Sequence, residues 1–284
     1  MMYDTIGVVG FGRMGSQIVT ELLMLDRNVV LYSITKKDRT EIENRLYQNF
    51  IKKHVTEPHA RQLLDQLTLF EEEMEGGKIS LKECRLIIET TSENLEIKRK
   101  AIEMLSSVCA DEAIVASNTS SLSINTLSNF YKRPENFVGM HFFNPVHNME
   151  LVEVIRSDKT DDTVLKNIVS FVSSMKKTPI VIADSPGFIV NRLLLGQINE
   201  AAYLLDSNTS SISDIDFAIR KGLNHPMGPF QLADYIGLDI CHAILMQLYL
   251  STGEDRFVPA KSLSKLVLEG KYGIKTGAGF YEYT

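Results

Sequence analysis

Short apolar runs alternate with stretches of helical period through about residue 184 of this 284-residue chain. The alternation predicts an α/β unit with a parallel sheet flanked by helices. Candidate strands are Thr5 to Val9, Val29 to Tyr32, Leu86 to Glu89, Ala113 to Ala116, Phe137 to Phe142, Leu151 to Ile155 and Pro179 to Ile182. A helix is expected from Ser16 to Leu25, straight after the first strand. Between the second and third strands runs a long polar, amphipathic section, with Ile42, Leu46, Phe50 and Ile51 at helical spacing. It reads as a helical arm, about 36–67, projecting from the sheet.

The pattern changes at Asp184-Ser185-Pro186-Gly187, where proline and glycine punctuate the chain and almost everything beyond has helical period. This places a boundary between a domain of residues 1–184 and one of residues 185–284. Helices are expected over Ile189 to Leu205, Ser213 to Lys221, Gln231 to Tyr249 and Ser262 to Glu269. A small helical domain so rich in leucine, isoleucine and methionine often buries its surplus apolar surface on a second copy of itself, so a homodimer is expected.

Composition narrows the function classes. Hydrophobic residues make up 44% and charged residues 23%, as in an ordinary globular enzyme. A formal charge of -6 without a basic stripe argues against nucleic acid as a partner. The three cysteines, Cys84, Cys109 and Cys241, are far apart and form neither a disulfide framework nor a C-x-x-C metal site. No metal is expected. The first strand begins almost at once, so no signal peptide is expected, and no apolar run approaches the roughly 18 residues of a membrane span. A cytoplasmic, reducing location is the expectation.

Gly10-Phe11-Gly12-Arg13-Met14-Gly15 follows a strand and opens a helix, the setting that a dinucleotide-binding turn requires. Gly10 permits the tight turn, Gly12 lets backbone approach a pyrophosphate, and Gly15 lets helix and strand pack closely, with the helix N-terminus toward the anion. Arg13 and Met14 belong to the same loop and are candidate cofactor contacts. The acidic residue that bonds the ribose hydroxyls of NAD normally closes the second strand, and Ser33 stands there. Lys36, Lys37 and Arg39 follow and are able to neutralise the extra phosphate of NADP, although such a charge run is often only a solvated face. Both NAD and NADP stay open.

His141 and Glu153 each interrupt an apolar strand. Burying either group costs several kcal/mol without a partner, and each is the natural partner of the other. A carboxylate that orients a histidine makes it a usable proton acceptor near neutral pH. Taken singly, a hydrogen-bonded core histidine and a solvated strand glutamate account for them equally well. Asn118-Thr119-Ser120-Ser121 follows the Ala113 to Ala116 strand at the sheet edge where ligands of doubly wound folds bind, or else caps a helix over Leu122 to Leu127. Asn191 lies in an apolar run at the head of the helical domain, suited to a site or to a helix-packing hydrogen bond.

These residues resemble the (S)-3-hydroxyacyl-CoA dehydrogenases, the 3-hydroxybutyryl-CoA dehydrogenases included, over essentially the whole chain. The similarity is carried by the glycine turn, Glu93-Asn94-Leu95-Glu96-Ile97-Lys98, Ser117 to Ser121, His141-Phe142-Phe143-Asn144-Pro145 and Pro186 to Arg192. His225-Pro226-Met227-Gly228-Pro229 and Lys275 to Tyr281 complete it. The resemblance implies a Rossmann-type domain followed by a helical dimerisation domain, with NAD or NADP as cofactor and an acyl thioester as substrate. It implies that His141 is the general base, Glu153 its orienting carboxylate, and Ser120 and Asn191 substrate hydrogen-bond donors. Glu93, Lys98, Asn118, Ser120 and Asn144 are implied cofactor-side residues.

The chain departs from the family pattern at three places. Ser33 replaces the aspartate. In a gap-free alignment Tyr47 and His54 stand where family members meet CoA, with Arg45, Lys52 and Lys53 nearby. After Pro145 come His147-Asn148-Met149-Glu150 in place of an apolar or proline pair and a lysine. These changes raise the expectation of a small polar 3-hydroxyacyl group carried on an acyl carrier protein as an alternative to CoA. A non-catalytic nucleotide-binding or structural role is a further alternative. The lysine-dependent hydroxyisobutyrate and phosphogluconate dehydrogenases share the architecture, but their glycine-rich lysine motif is not visible here.

Overall fold

The structure, a computed structural model, describes residues 3–33, 38–71 and 81–283. It divides into two compact units, Met1–Asp184 and Ser185–Thr284.

In the first unit the described residues form one sheet of eight strands. They are β1 (Thr5–Val9), β2 (Asn28–Ser33), β3 (Leu67–Glu71), β4 (Leu86–Glu89), β5 (Ile114–Ser117), β6 (Phe137–Phe142), β7 (Leu151–Arg156) and β8 (Thr178–Ala183), in the order β3-β2-β1-β4-β5-β6-β7-β8. The helices are α1 (Arg13–Met24), α2 (Arg39–Lys52), α3 (Glu57–Leu64), α4 (Leu95–Val108), α5 (Ile124–Ser128) and α6 (Asp162–Ser174). Alternate strand residues such as Ile6, Val8, Ile88, Ala116, Val138, Met140 and Val154 share one core. The residues between them, among them Ile87, Val115, Phe137 and Ile155, are equally buried on the opposite face. Burial on both faces is why these strands read as unbroken apolar runs, and each large side chain so buried contributes roughly 1.5–3 kcal/mol of transfer free energy.

Three expectations are corrected. The sheet is not wholly parallel, because β6 and β7 are antiparallel. Only residues 143–150 join these two strands, too few for the crossover of a dozen or more residues that a parallel pair needs. The described part of the expected arm, residues 38–67, does not stand away from the sheet. Ile42, Leu46, Phe50, Ala60 and Leu63 are buried in the main core, and α2 and α3 pack along α1. Its last residue, Leu67, opens β3, a strand missing from the sequence reading, which pairs in parallel with β2. Lys36 and Lys37 lie outside the described residues.

The second unit contains α7 (Val190–Asp206), α8 (Ile212–Gly222), α9 (Pro229–Ile236), α10 (Leu238–Thr252) and α11 (Lys261–Leu268). The single helix expected over Gln231 to Tyr249 is therefore two. They break at Gly237, whose φ of 109° is a conformation that other residues avoid. Two buried carboxylates staple this unit. Asp216 accepts from the amides of Phe230 and Gln231 at the start of α9, and Asp234 from the amides of Phe280 and Tyr281 in the C-terminal turn.

Candidate dinucleotide and catalytic site

The turn between β1 and α1 opens a cavity of about 670 Å³. It lies at the carboxyl ends of β1 and β4, where the strand order reverses, the usual ligand position in doubly wound sheets. Gly10, Gly12, Arg13 and Met14 line it together with Tyr32, Glu93, Asn118 and Ser120. Gly10 has φ 101°, and a Cβ there would sit 2.9 Å from the Thr90 carbonyl. A Cβ on Gly15 would run into the carbonyl of Gly10, so the absence of a side chain is what lets α1 approach the strand. Around Gly12, by contrast, a Cβ would meet nothing within 4 Å. The start of a 12-residue helix thus borders open space in the cavity, a setting that fits a pyrophosphate.

The loops after β4 and β5 form one wall and are tied together by Glu93. Its Oε1 accepts from Thr119 Oγ1 at 2.7 Å, from the amides of Ser120 and Ser121 at 2.9 Å each, and from Ser121 Oγ at 2.9 Å. The 118–121 segment is not the cap of α5, since Ser123 Oγ accepts from the Thr126 amide in that role. Lys98, expected beside the cofactor, is instead buried behind the wall. Its Nζ lies 3.1 and 2.9 Å from the two oxygens of Glu89 and 3.0 Å from the Asn118 carbonyl. Glu89 also accepts from Ser117 Oγ at 2.5 Å and from the Thr91 amide at 2.6 Å. The sequence reading missed Glu89, although a carboxylate ending the apolar run Leu86 to Ile88 is the same kind of signal that marked Glu153.

His141 and Glu153 are directly paired across β6 and β7, and His141 Nδ1 lies 2.7 Å from Glu153 Oε2. Glu153 is fully buried and His141 is 4% exposed. The ring stands 4.5 Å from that of Phe143, centroid to centroid. Adjacent to the histidine, the Phe142 amide donates to Asn118 Oδ1 at 3.1 Å, which joins the histidine strand to a wall residue of the cavity.

The turn after β6 is held from two sides. Gln17 on α1 donates to Asn144 Oδ1 at 2.9 Å and accepts from the Val146 amide at 2.8 Å, so Asn144 reaches the glycine-turn helix through Gln17. Lys177 donates to the carbonyls of Val146 and Met149 at 2.5 and 2.9 Å. Burial pulls the Lys177 amine below the usual lysine range, opposed by the charge of Glu21. Neither Gln17 nor Lys177 carries a sequence signal, because each acts on a segment more than 25 residues away.

A second recess, of about 430 Å³, is lined by Arg13, Arg45, Lys52, Lys53 and His147, with Glu21 paired to Lys53. Such a cluster suits a phosphate-bearing ligand. Tyr47 and His54, named from the alignment, are not among its lining residues. Tyr47 packs on the core and His54 follows α2 in a left-handed conformation, φ 60°. Ser33 ends β2 and is buried, while Tyr32 before it lines the large cavity. Arg39 is engaged by Glu43 at 2.7 Å. Asn191 lies in the first turn of α7 in the second unit.

Fold and site together define a dinucleotide-dependent oxidoreductase of the doubly wound class. Residues 5–185 match the family described as 3-hydroxyacyl-CoA dehydrogenase, NAD binding domain, and residues 187–283 match its C-terminal domain. The chain belongs to the 3-hydroxyacyl-CoA dehydrogenase family. A 3-hydroxybutyryl-CoA dehydrogenase of Bradyrhizobium diazoefficiens is 41% identical over 98% of this chain and 94% of its own. Human mitochondrial hydroxyacyl-coenzyme A dehydrogenase is 37% identical over 98% and 90%. The crystal structure of (S)-3-hydroxybutyryl-CoA dehydrogenase from Ralstonia eutropha superposes with a TM-score of 0.91 at 35% identity, covering 99% of both chains.

Proposed function

We propose that this protein interconverts a 3-hydroxyacyl thioester and its 3-oxoacyl form with NAD as cofactor, acting on a short-chain substrate of the 3-hydroxybutyryl-CoA type. The observation that carries the reading is the buried His141–Glu153 pair on a strand joined through Asn118 to the wall of the dinucleotide cavity. The nicotinamide, when bound, supplies the hydride acceptor or donor. His141 Nε2 takes the proton from the 3-hydroxyl in oxidation and returns it to the 3-oxo oxygen in reduction. Glu153, held on Nδ1, fixes the tautomer and offsets the imidazolium charge. Ser120 and Asn191 hold the substrate oxygens, and Gly10, Gly12, Arg13 and Met14 bind the pyrophosphate side of the cofactor.

The cationic recess of Arg45, Lys52 and Lys53 supports a phosphate-bearing carrier, which CoA satisfies. The family's NAD-binding description supports NAD, with Ser33 as the residue that leaves NADP a usable second cofactor. Exposed Leu193, Phe217, Leu250 and Leu268, between 60% and 88% accessible, support pairing of two chains through the helical unit.

The deciding experiment is reduction of acetoacetyl-CoA and of the matching carrier-protein thioester with NADH and with NADPH, followed by nicotinamide absorbance. Faster turnover of acetoacetyl-CoA with NADH is expected. Turnover of the carrier-protein thioester alone removes the CoA assignment, and no turnover of any 3-oxoacyl thioester alongside NADH binding makes the protein a non-catalytic family member. Light scattering of the eluted protein at twice the chain mass is the result expected for the dimer, and a monomer mass removes it.

A further inference from the structure

The loops that wall the cavity after β4 and β5 meet at a fully buried ion pair that touches no cavity surface. Lys98 and Glu89 are each 0% exposed, and their charged groups lie 2.9 Å apart. Removing two charges from water is costly, and an apolar pair of similar volume is often as stable. The hydrogen bonds around the pair point to a positional role. Glu89 Oε1 takes both the amide and the hydroxyl of Thr91, and Oε2 takes Ser117 Oγ. Lys98 gives its protons to Glu89, to the Asn118 carbonyl at 3.0 Å and to the Thr91 carbonyl at 3.4 Å. Outside the pair itself these contacts land on Thr91, Ser117 and Asn118, in two segments whose residues 90–93, Asn118 and Ser120 line the cavity. Asn118 then passes the restraint on, since its Oδ1 takes the Phe142 amide beside His141.

We propose that Glu89, with Lys98, is a positioning residue that sets the spacing between the two loops of the cavity wall and the histidine strand, and so governs nicotinamide dinucleotide binding. The proposal rests on the large cavity being the cofactor site. A charged pair does this better than an apolar one because its five directional bonds to the two segments, at Thr91, Ser117 and Asn118, allow one relative placement of them. An apolar contact tolerates sliding.

The test uses the whole chain and measures the dissociation constant of NADH by fluorescence, kcat with acetoacetyl-CoA, and the melting temperature. Glu89→Gln and Lys98→Met each leave a buried group without its counter-charge, so both lower the melting temperature and raise the NADH dissociation constant about tenfold. In the double variant no buried charge is left unpaired, and the melting temperature recovers most of its loss. The NADH constant stays raised, because the bonds to Thr91 and Asn118 are still missing. Ser117→Ala removes one hydroxyl and no charge, and is expected to weaken NADH binding about threefold with little change in melting. Recovery of NADH affinity along with thermal stability in the double variant would make the pair a stabiliser only and overturn the proposal, as would unchanged affinity in Ser117→Ala and the double variant. A wild-type protein that binds no NADH would instead remove the cofactor assignment of the cavity.

Discussion

His141 and Glu153 occupy opposed positions of β6 and β7, with Nδ1 and Oε2 2.7 Å apart in the interior. The carboxylate fixes which ring nitrogen carries the proton. His141→Gln is therefore expected to lower kcat by about 10² to 10⁴ with little change in NADH affinity. Glu153→Gln keeps the shape of the pair and removes its charge, for a loss on the order of 10² in kcat. Stopped-flow reduction of acetoacetyl-CoA together with NADH titration checks both; near-wild-type turnover of either variant rules out this base.

Ser33 closes β2, where an acidic side chain ordinarily bonds the adenosine ribose. Ser33→Asp is expected to favour NADH over NADPH by about tenfold or more in kcat/KM, because the new carboxylate accepts from ribose hydroxyls and repels a phosphate. An unchanged ratio of the two cofactors shows that the end of β2 does not face the ribose.

Lys177 holds the carbonyls of Val146 and Met149, on either side of His147 in the cationic recess. Lys177→Met loosens this turn. The expected result is a rise of about threefold to thirtyfold in KM for the acyl-CoA with NADH affinity preserved. A KM equal to that of the wild type means that the turn does not contact substrate.

The three thiols report on packing. Burial is the largest cause that raises Cys84, Cys109 and Cys241 from an ordinary 9.0 to about 12. Thiolate is the reactive form, so at pH 8 a group titrating near 12 is ionised in roughly one molecule in 10⁴. Ellman's reagent should leave all three unmodified in the native protein and label all three after denaturation. Because the folded values exceed the unfolded ones, the thiols favour folding fully below pH 9.0, and this contribution is lost as pH rises from there toward 12. Urea midpoints falling over that window are the expected result, and rapid native labelling at pH 8 contradicts the burial.

Seven of the eight strands, the glycine turn, and His141 and Glu153 as unusual residues in apolar runs were legible because burial on both sheet faces writes itself as local composition. β3 was not, since its Thr68 and Glu71 make a short edge strand look like the end of a polar helix. Gln231 to Tyr249 read as one helix because apolar periodicity continues across Gly237, and only the backbone angle there divides it.

The amino-acid order alone determined the alternation of strand and helix, the dinucleotide turn and the presence of two titratable groups in an apolar setting, all of which depend on neighbours a few residues apart. Tertiary structure decided what those groups meet. The antiparallel return of β7 places Glu153 on His141, Lys98 turns away from the cavity onto Glu89, and Gln17 and Lys177 reach across long stretches of chain to hold the turn after β6. Hydrogen bonds and ion pairs act over about 3 Å whatever the separation in sequence, so these contacts exist only once the sheet has brought distant segments together.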